Sequence, residues 1–208
     1  MKNFYILFLG LCFIGCVRKP DVNTLLLHNG DIIFQTSTSP QSQAIQLATH
    51  SKYSHCGIVF QDNGKWLVFE AIQPVTTTPL DNWIVRGENS TYTIKRLKDT
   101  TALTPEAFGK MKASAQKMTG KNYDLYFGWS DERIYCSELV WKLYKDGTGL
   151  EVGHLKHLKD FDLSNPAVQQ KMKERYGNNI PMDEAVISPA DIYESELLET
   201  VIGEYKAP

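Results

Sequence analysis

The chain has 208 residues, 42% hydrophobic and 11% aromatic, with a formal net charge of −2. That length, less a short leader, suits one domain with a real core. The near-neutral charge leaves no basic footprint for nucleic acid, and no repeat or low-complexity tract divides the chain.

Residues 1–15 read as a signal peptide. Lys2 supplies the positive charge, and Phe4 to Gly15 is an apolar and small-residue run too short to span a bilayer comfortably. Gly15-Cys16 at its end, before Arg18 and Lys19, resembles the lipobox of bacterial lipoproteins. The resemblance implies cleavage after Gly15, diacylation of Cys16 and a short tether over 16–26, although Phe13 replaces the usual leucine-like residue. The alternatives are an ordinary cleaved signal or a short signal anchor, and each exports the domain. Cys12 then falls in the leader, so the mature domain keeps Cys56 and Cys136. In an oxidising compartment the two could pair as a disulfide; otherwise one is a buried apolar residue and the other a reactive thiol.

Downstream, His28-Asn29-Gly30 is a turn ahead of a strand at Asp31–Phe34, and Ser39-Pro40 caps a helix through Ala48. His55–Phe60 and Trp66–Ile72 are strands around Asn63-Gly64, a two-residue hairpin signal. A further strand is expected at Thr91–Leu97 and a helix after the Thr104-Pro105-Glu106 cap, ending at Gly120. Cys136 to Tyr144 reads as another helix. Ser188-Pro189-Ala190-Asp191 opens a last one carrying Ile192, Leu197 and Leu198, and the polar segment from Asp146 to Ile187 yields only scattered helical signals. Strands early and helices late predict an α+β fold, an antiparallel sheet packed against helices.

The hairpin can be registered. With Asn63-Gly64 as the turn, Gly57 faces Glu70 and His55 faces Ile72. Cys56, Ile58, Phe60, Leu67, Phe69 and Ala71 then form a wholly apolar core face, which makes Cys56 a buried structural residue. His55 and Glu70 become diagonal neighbours on the other face, about 7–8 Å apart at the backbone, a span that a glutamate side chain covers. A carboxylate beside a histidine sets its tautomer and steadies the imidazolium. Read alone, this pair is more simply a surface contact on a solvated sheet face. Cys136 follows a charged, turn-like segment at a helix start, where the macrodipole favours thiolate and free N–H groups can hold an oxyanion.

The pieces Asn29-Gly30-Asp31-Ile32-Ile33-Phe34, Ser54-His55-Cys56-Gly57-Ile58-Val59, Phe69-Glu70-Ala71 and Gly120-Lys121-Asn122-Tyr123-Asp124 occur in that order, before Ile134-Tyr135-Cys136-Ser137-Glu138-Leu139-Val140 and Ser188-Pro189-Ala190-Asp191. Together they resemble the YiiX/YebB-like family of permuted papain-like enzymes in the NlpC/P60 superfamily, over about residues 27–208. The resemblance implies a circularly permuted papain-like fold in which the His strand precedes the Cys helix. It implies Cys136 as nucleophile, His55 as base and Glu70 as third member, with Tyr123 in support; Gln35 is a weaker candidate for an oxyanion or substrate contact. The implied activity is a cell-envelope cysteine hydrolase of amide bonds in peptides or cell-wall fragments, held at the membrane by its lipid anchor. Two alternatives remain open: a lipid acyl hydrolase or acyltransferase of the lecithin:retinol acyltransferase-like type, and a non-catalytic ligand-binding lipoprotein. No cofactor is expected. There is no CxxC or HExxH, and His28, His50, His154 and His157 show no metal-ligand spacing.

Overall fold

The computed structural model describes residues 24–206, so the leader and Cys16 lie outside the described part of the chain. In chain order it runs β1 (Ile32–Gln35), α1 (Pro40–Thr49), β2 (His55–Asp62), β3 (Lys65–Glu70), β4 (Thr76–Pro79), α2 (Leu80–Val85) and β5 (Thr91–Leu97). Then follow α3 (Pro105–Met118), β6 (Asn122–Tyr123), β7 (Arg133–Ile134), α4 (Cys136–Thr148), β8 (Lys156–His157), α5 (Pro166–Tyr176), β9 (Ala185–Val186), α6 (Pro189–Tyr193) and β10 (Leu198–Lys206). The main sheet has six antiparallel strands in the order β10-β5-β1-β2-β3-β4. This is the mixed, antiparallel α+β architecture expected of a permuted papain-like chain.

Local chemistry sets the helix starts. Ser39 Oγ accepts the Ser42 N–H at 3.1 Å ahead of Pro40, and Thr104 Oγ1 accepts the Ala107 N–H at 3.1 Å ahead of Pro105. The hairpin turn has positive φ at both central residues, 48° at Asn63 and 75° at Gly64, the combination a two-residue turn with right-handed strand twist requires. Its ladder pairs Ile58 with Phe69 and Asp62 with Lys65, which is the register read from the turn.

One face of the sheet, with Phe34, Cys56, Ile58 and Phe69, packs on Leu139, Val140 and Leu143 of α4 in the larger core. The opposite face is not solvated, which corrects the surface reading of His55 and Glu70. Ile33, Val59, Val68 and Ile94 form a second core there with Leu80, Trp83 and Ile84 of α2. Residues 76–85 supply the cover: β4 extends the sheet past β3 and α2 turns back over it.

Three further expectations change. β3 ends at Glu70 rather than Ile72. The last helix stops at Tyr193; Leu198 starts β10, because pairing with β5 satisfies its backbone and buries Leu198 in the larger core and, past a register shift, Ile202 in the second. The stretch that carried only scattered signals contains α5, capped by Asn165 Oδ1 on the Ala167 N–H at 2.9 Å. No helix among the described residues is long and apolar enough to cross a membrane.

Candidate active site

Three elements converge at one end of the sheet. Cys136 is the first residue of α4, His55 the first of β2 and Glu70 the last of β3. His55 Nε2 lies 2.7 Å from Glu70 Oε2. That leaves Nδ1 for the Cys136 sulfur, to which the ring is also hydrogen-bonded. The ring stacks on Trp83 at 5.8 Å between centroids and 23° between planes, so its plane is set from two sides. Glu70 is 0% exposed, and its second oxygen accepts from Thr78 Oγ1 and Arg86 Nη2, each at 2.5 Å. Gly57 makes the approach possible: a Cβ there would lie 2.6 Å from Val68 Cγ1 and 2.9 Å from the Phe69 carbonyl oxygen.

The electrostatics follow from these contacts. Burial opposes a charge on His55, but hydrogen bonds to Cys136 and Glu70 outweigh it and raise the imidazole to about 9. Cys136 is held well below an ordinary thiol, first by a hydrogen bond from Cys56, then, against burial, by His55. Burial alone would raise Glu70; His55, Thr78 and Arg86 together lower it. The pair is therefore thiolate and imidazolium across neutral pH. In the sign convention of titration, the thiolate is lost only well below the usual thiol range, and the imidazolium is lost as pH rises through about 9. Iodoacetamide is expected to label Cys136 near pH 6, where Cys56 stays unlabelled, as peptide mass mapping would show. Equal, slow labelling of both would mean no such ion pair exists.

Tyr123 sits on β6 with its hydroxyl hydrogen-bonded to Cys136 and accepting from Gln41 Nε2 at 3.3 Å. Gln35 pairs with His55 across β1 and β2 and is 3% exposed. Its Oε1 has no hydrogen-bond partner, and the amide rests against Gly87, on the wall that His55 and Arg86 share, not in the pocket that reaches the thiol. Cys56 belongs to the core as its register requires and is in no disulfide, yet it also touches Cys136. Thr78, Trp83, Arg86 and Gln41 were missed in the sequence. The β-branched run Thr76-Thr77-Thr78 could have marked a strand, whereas nothing local marks Arg86.

Two hollows flank the His55–Cys136 pair, and Cys136 lines only the first of them. A narrow pocket of about 70 Å³, lined by Ala44, Ala48, Phe161, Val168, Met172 and Val186 among others, runs between α1 and α5 to Cys136 and is almost wholly apolar. On the other side an open, more polar cleft is lined by Gln35, Ser54, His55, Gln73 and Arg86. Gln41, Ile45 and Tyr123 border both.

A thiol on a helix start facing a histidine from an earlier strand is the inverse of papain's chain order, and a family model described as permuted papain-like amidase enzyme, YaeF/YiiX, C92 family, matches residues 26–202. The chain belongs to that family. C92 members are amidase-type cysteine hydrolases, which sets aside a purely ligand-binding lipoprotein. Among C92 relatives, the uncharacterized protein YiiX of Escherichia coli (strain K12) is 50% identical over 176 residues, 85% of this chain and 86% of its own. A crystal structure of YiiX from Escherichia coli O157:H7 matches with a TM-score of 0.80 at 49% identity, over 86% of this chain and 97% of that one. That protein is described as a metalloprotein. Among the described residues of this C92 chain, no three His, Cys, Asp or Glu side chains gather where they could hold a metal ion.

Proposed function

We propose that this amidase works through Cys136, His55 and Glu70 on substrates whose acyl part is apolar. The observation that carries the substrate class is the apolar pocket that ends at the thiol, with a more polar cleft beside His55 that adjoins it at Gln41, Ile45 and Tyr123. A carbonyl at Cys136 would seat its acyl side in the pocket and its amine in the cleft. The thiolate attacks the carbonyl carbon, and the free N–H groups of the first turn of α4 hold the oxyanion. His55 gives its Nδ1 proton to the leaving amine, which departs through the cleft. The same nitrogen then takes a proton from water as it attacks the thioester, releasing the carboxylic acid and restoring the thiol pair. Glu70 keeps Nε2–H pointed at itself throughout, so the ring can serve only through Nδ1. Tyr123 borders both hollows and supports the acyl group as it enters.

The leader and Cys16 support placement at the outer side of a bacterial membrane, where peptides with apolar residues and acylated molecules are both at hand. Fatty acyl esters are the second reading, favoured by the same pocket. A matched set of N-acyl amides, acyl esters and cell-wall peptides separates these. With amides, kcat/KM is expected to rise about fourfold per added methylene until the pocket fills, from about 0.8 kcal/mol each. Ala48→Phe narrows the pocket and is expected to remove that gain for long chains while sparing short ones. Rates indifferent to chain length, or highest for polar acyl groups, would remove the pocket from the account; faster turnover of esters would favour lipid chemistry.

A further inference from the structure

Cys56 is the nucleophilic group that the hydrolytic scheme leaves unused. Neighbouring strand residues point to opposite faces, so His55 and Cys56 are not expected to meet one atom. They do so here because α4 begins against the end of β2: His55 reaches Cys136 from the strand's first position, and Cys56 lies on the face that α4 covers. Cys56 is 0% exposed, and both its thiol and its backbone N–H are hydrogen-bonded to Cys136. The N–H is free for this. Val59 N–H donates to Asp31 O on the β1 side, so by alternation the Cys56 N–H faces β3, whose ladder with β2 starts only at Ile58↔Phe69 and which ends at Glu70.

We propose that Cys56 is a positioning residue whose S–H and N–H donate to the Cys136 sulfur, aiming it and stabilising its anionic form. Two adjoining thiols cannot both ionise in a buried site, so their roles divide. Burial, followed by the hydrogen bond and charge of Cys136, pushes Cys56 well above an ordinary thiol; it remains the S–H donor while Cys136 is the thiolate. The proposal rests on Cys136 being the nucleophile.

The test is the pH dependence of Cys136 alkylation by iodoacetamide in the full chain, followed by peptide mass mapping and needing no substrate. Cys56→Ser keeps a donor; Cys56→Ala and Cys56→Val remove it, one leaving space and the other filling it, so that they disturb packing in opposite ways. The backbone donor survives in all three. Midpoints for Ala and Val are expected about one to two pH units above wild type, the size of a lost hydrogen bond to a charged group. Ser is expected to stay near wild type, with thermal melts reporting the fold of each. Midpoints for folded Ala or Val that match wild type, or a Ser midpoint displaced as far as theirs, would make Cys56 a core filler only. A wild-type Cys136 that reacts like an ordinary thiol would overturn the nucleophile reading as well, and is told apart by the unsubstituted protein alone.

Discussion

Cys136→Ala is expected to lower kcat by about 10³- to 10⁶-fold on the best acyl amide of the series, the range seen when the nucleophile of an acyl-transfer site is removed. His55→Ala is expected to fall in the same range, and the double variant no further, because each half of an ion pair is idle without the other. The reason lies in the contacts. Without the sulfur no thioester forms, and the remaining N–H groups at the helix start can only polarise a bound carbonyl. Without His55 the thiol loses the imidazolium that helps ionise it and the proton that the leaving amine needs. Removing the sulfur also takes the anion from beside His55, so its imidazole is expected to titrate below about 9 in Cys136→Ala, a change visible by NMR. Near-wild-type turnover by either single variant would sink the nucleophile–base assignment.

Glu70→Gln is expected to cost about 10³- to 10⁴-fold in kcat/KM, comparable with amide-for-carboxylate changes in other triads. The size depends on which way the new amide faces. Arg86 Nη2 and Thr78 Oγ1 both donate to Glu70 Oε1, so the glutamine oxygen is drawn to that side and its NH₂ is left facing His55 Nε2. An NH₂ there donates to Nε2, forces the proton to Nδ1 and disfavours the imidazolium, which leaves the thiol without its partner charge. Removing Arg86 as well frees the amide to turn over. The Glu70→Gln/Arg86→Gln double variant is therefore expected to recover part of the lost kcat/KM, an unusual outcome for a second substitution in a site. If the double variant is worse than the single by the full effect of Arg86→Gln alone, the orientation argument fails. The alkaline limb is also expected to move down from about pH 9 in Glu70→Gln, since the carboxylate is one of the groups that raise His55.

These outcomes show how unevenly the site was written in the chain. The His55–Glu70 contact was legible because a two-residue turn at Asn63-Gly64 sets strand parity over the few residues on either side, and β-strands alternate faces with period two. The position of Cys136 at a helix start was legible for a similar reason: the helical pattern that follows it is local. Arg86 and Thr78 were not, because they reach Glu70 only after β4 has joined the sheet edge and α2 has folded back over it. The first residue of β10 was misread as helix, since Leu198 carries no strand signal apart from the β5 edge it pairs with.

By itself the sequence determined β1, α1, the β2–β3 hairpin with its register, β5, α3, the start of α4 and the family resemblance, all of which rest on spacing along the chain. Only the tertiary structure decided that the second sheet face is covered and that His55 and Glu70 are enclosed. It alone brought Cys56 to the sulfur and placed an apolar pocket at the thiol and a more polar cleft beside His55. Those features are sums over groups far apart in sequence, and burial, unlike periodicity, exists only once the chain has packed.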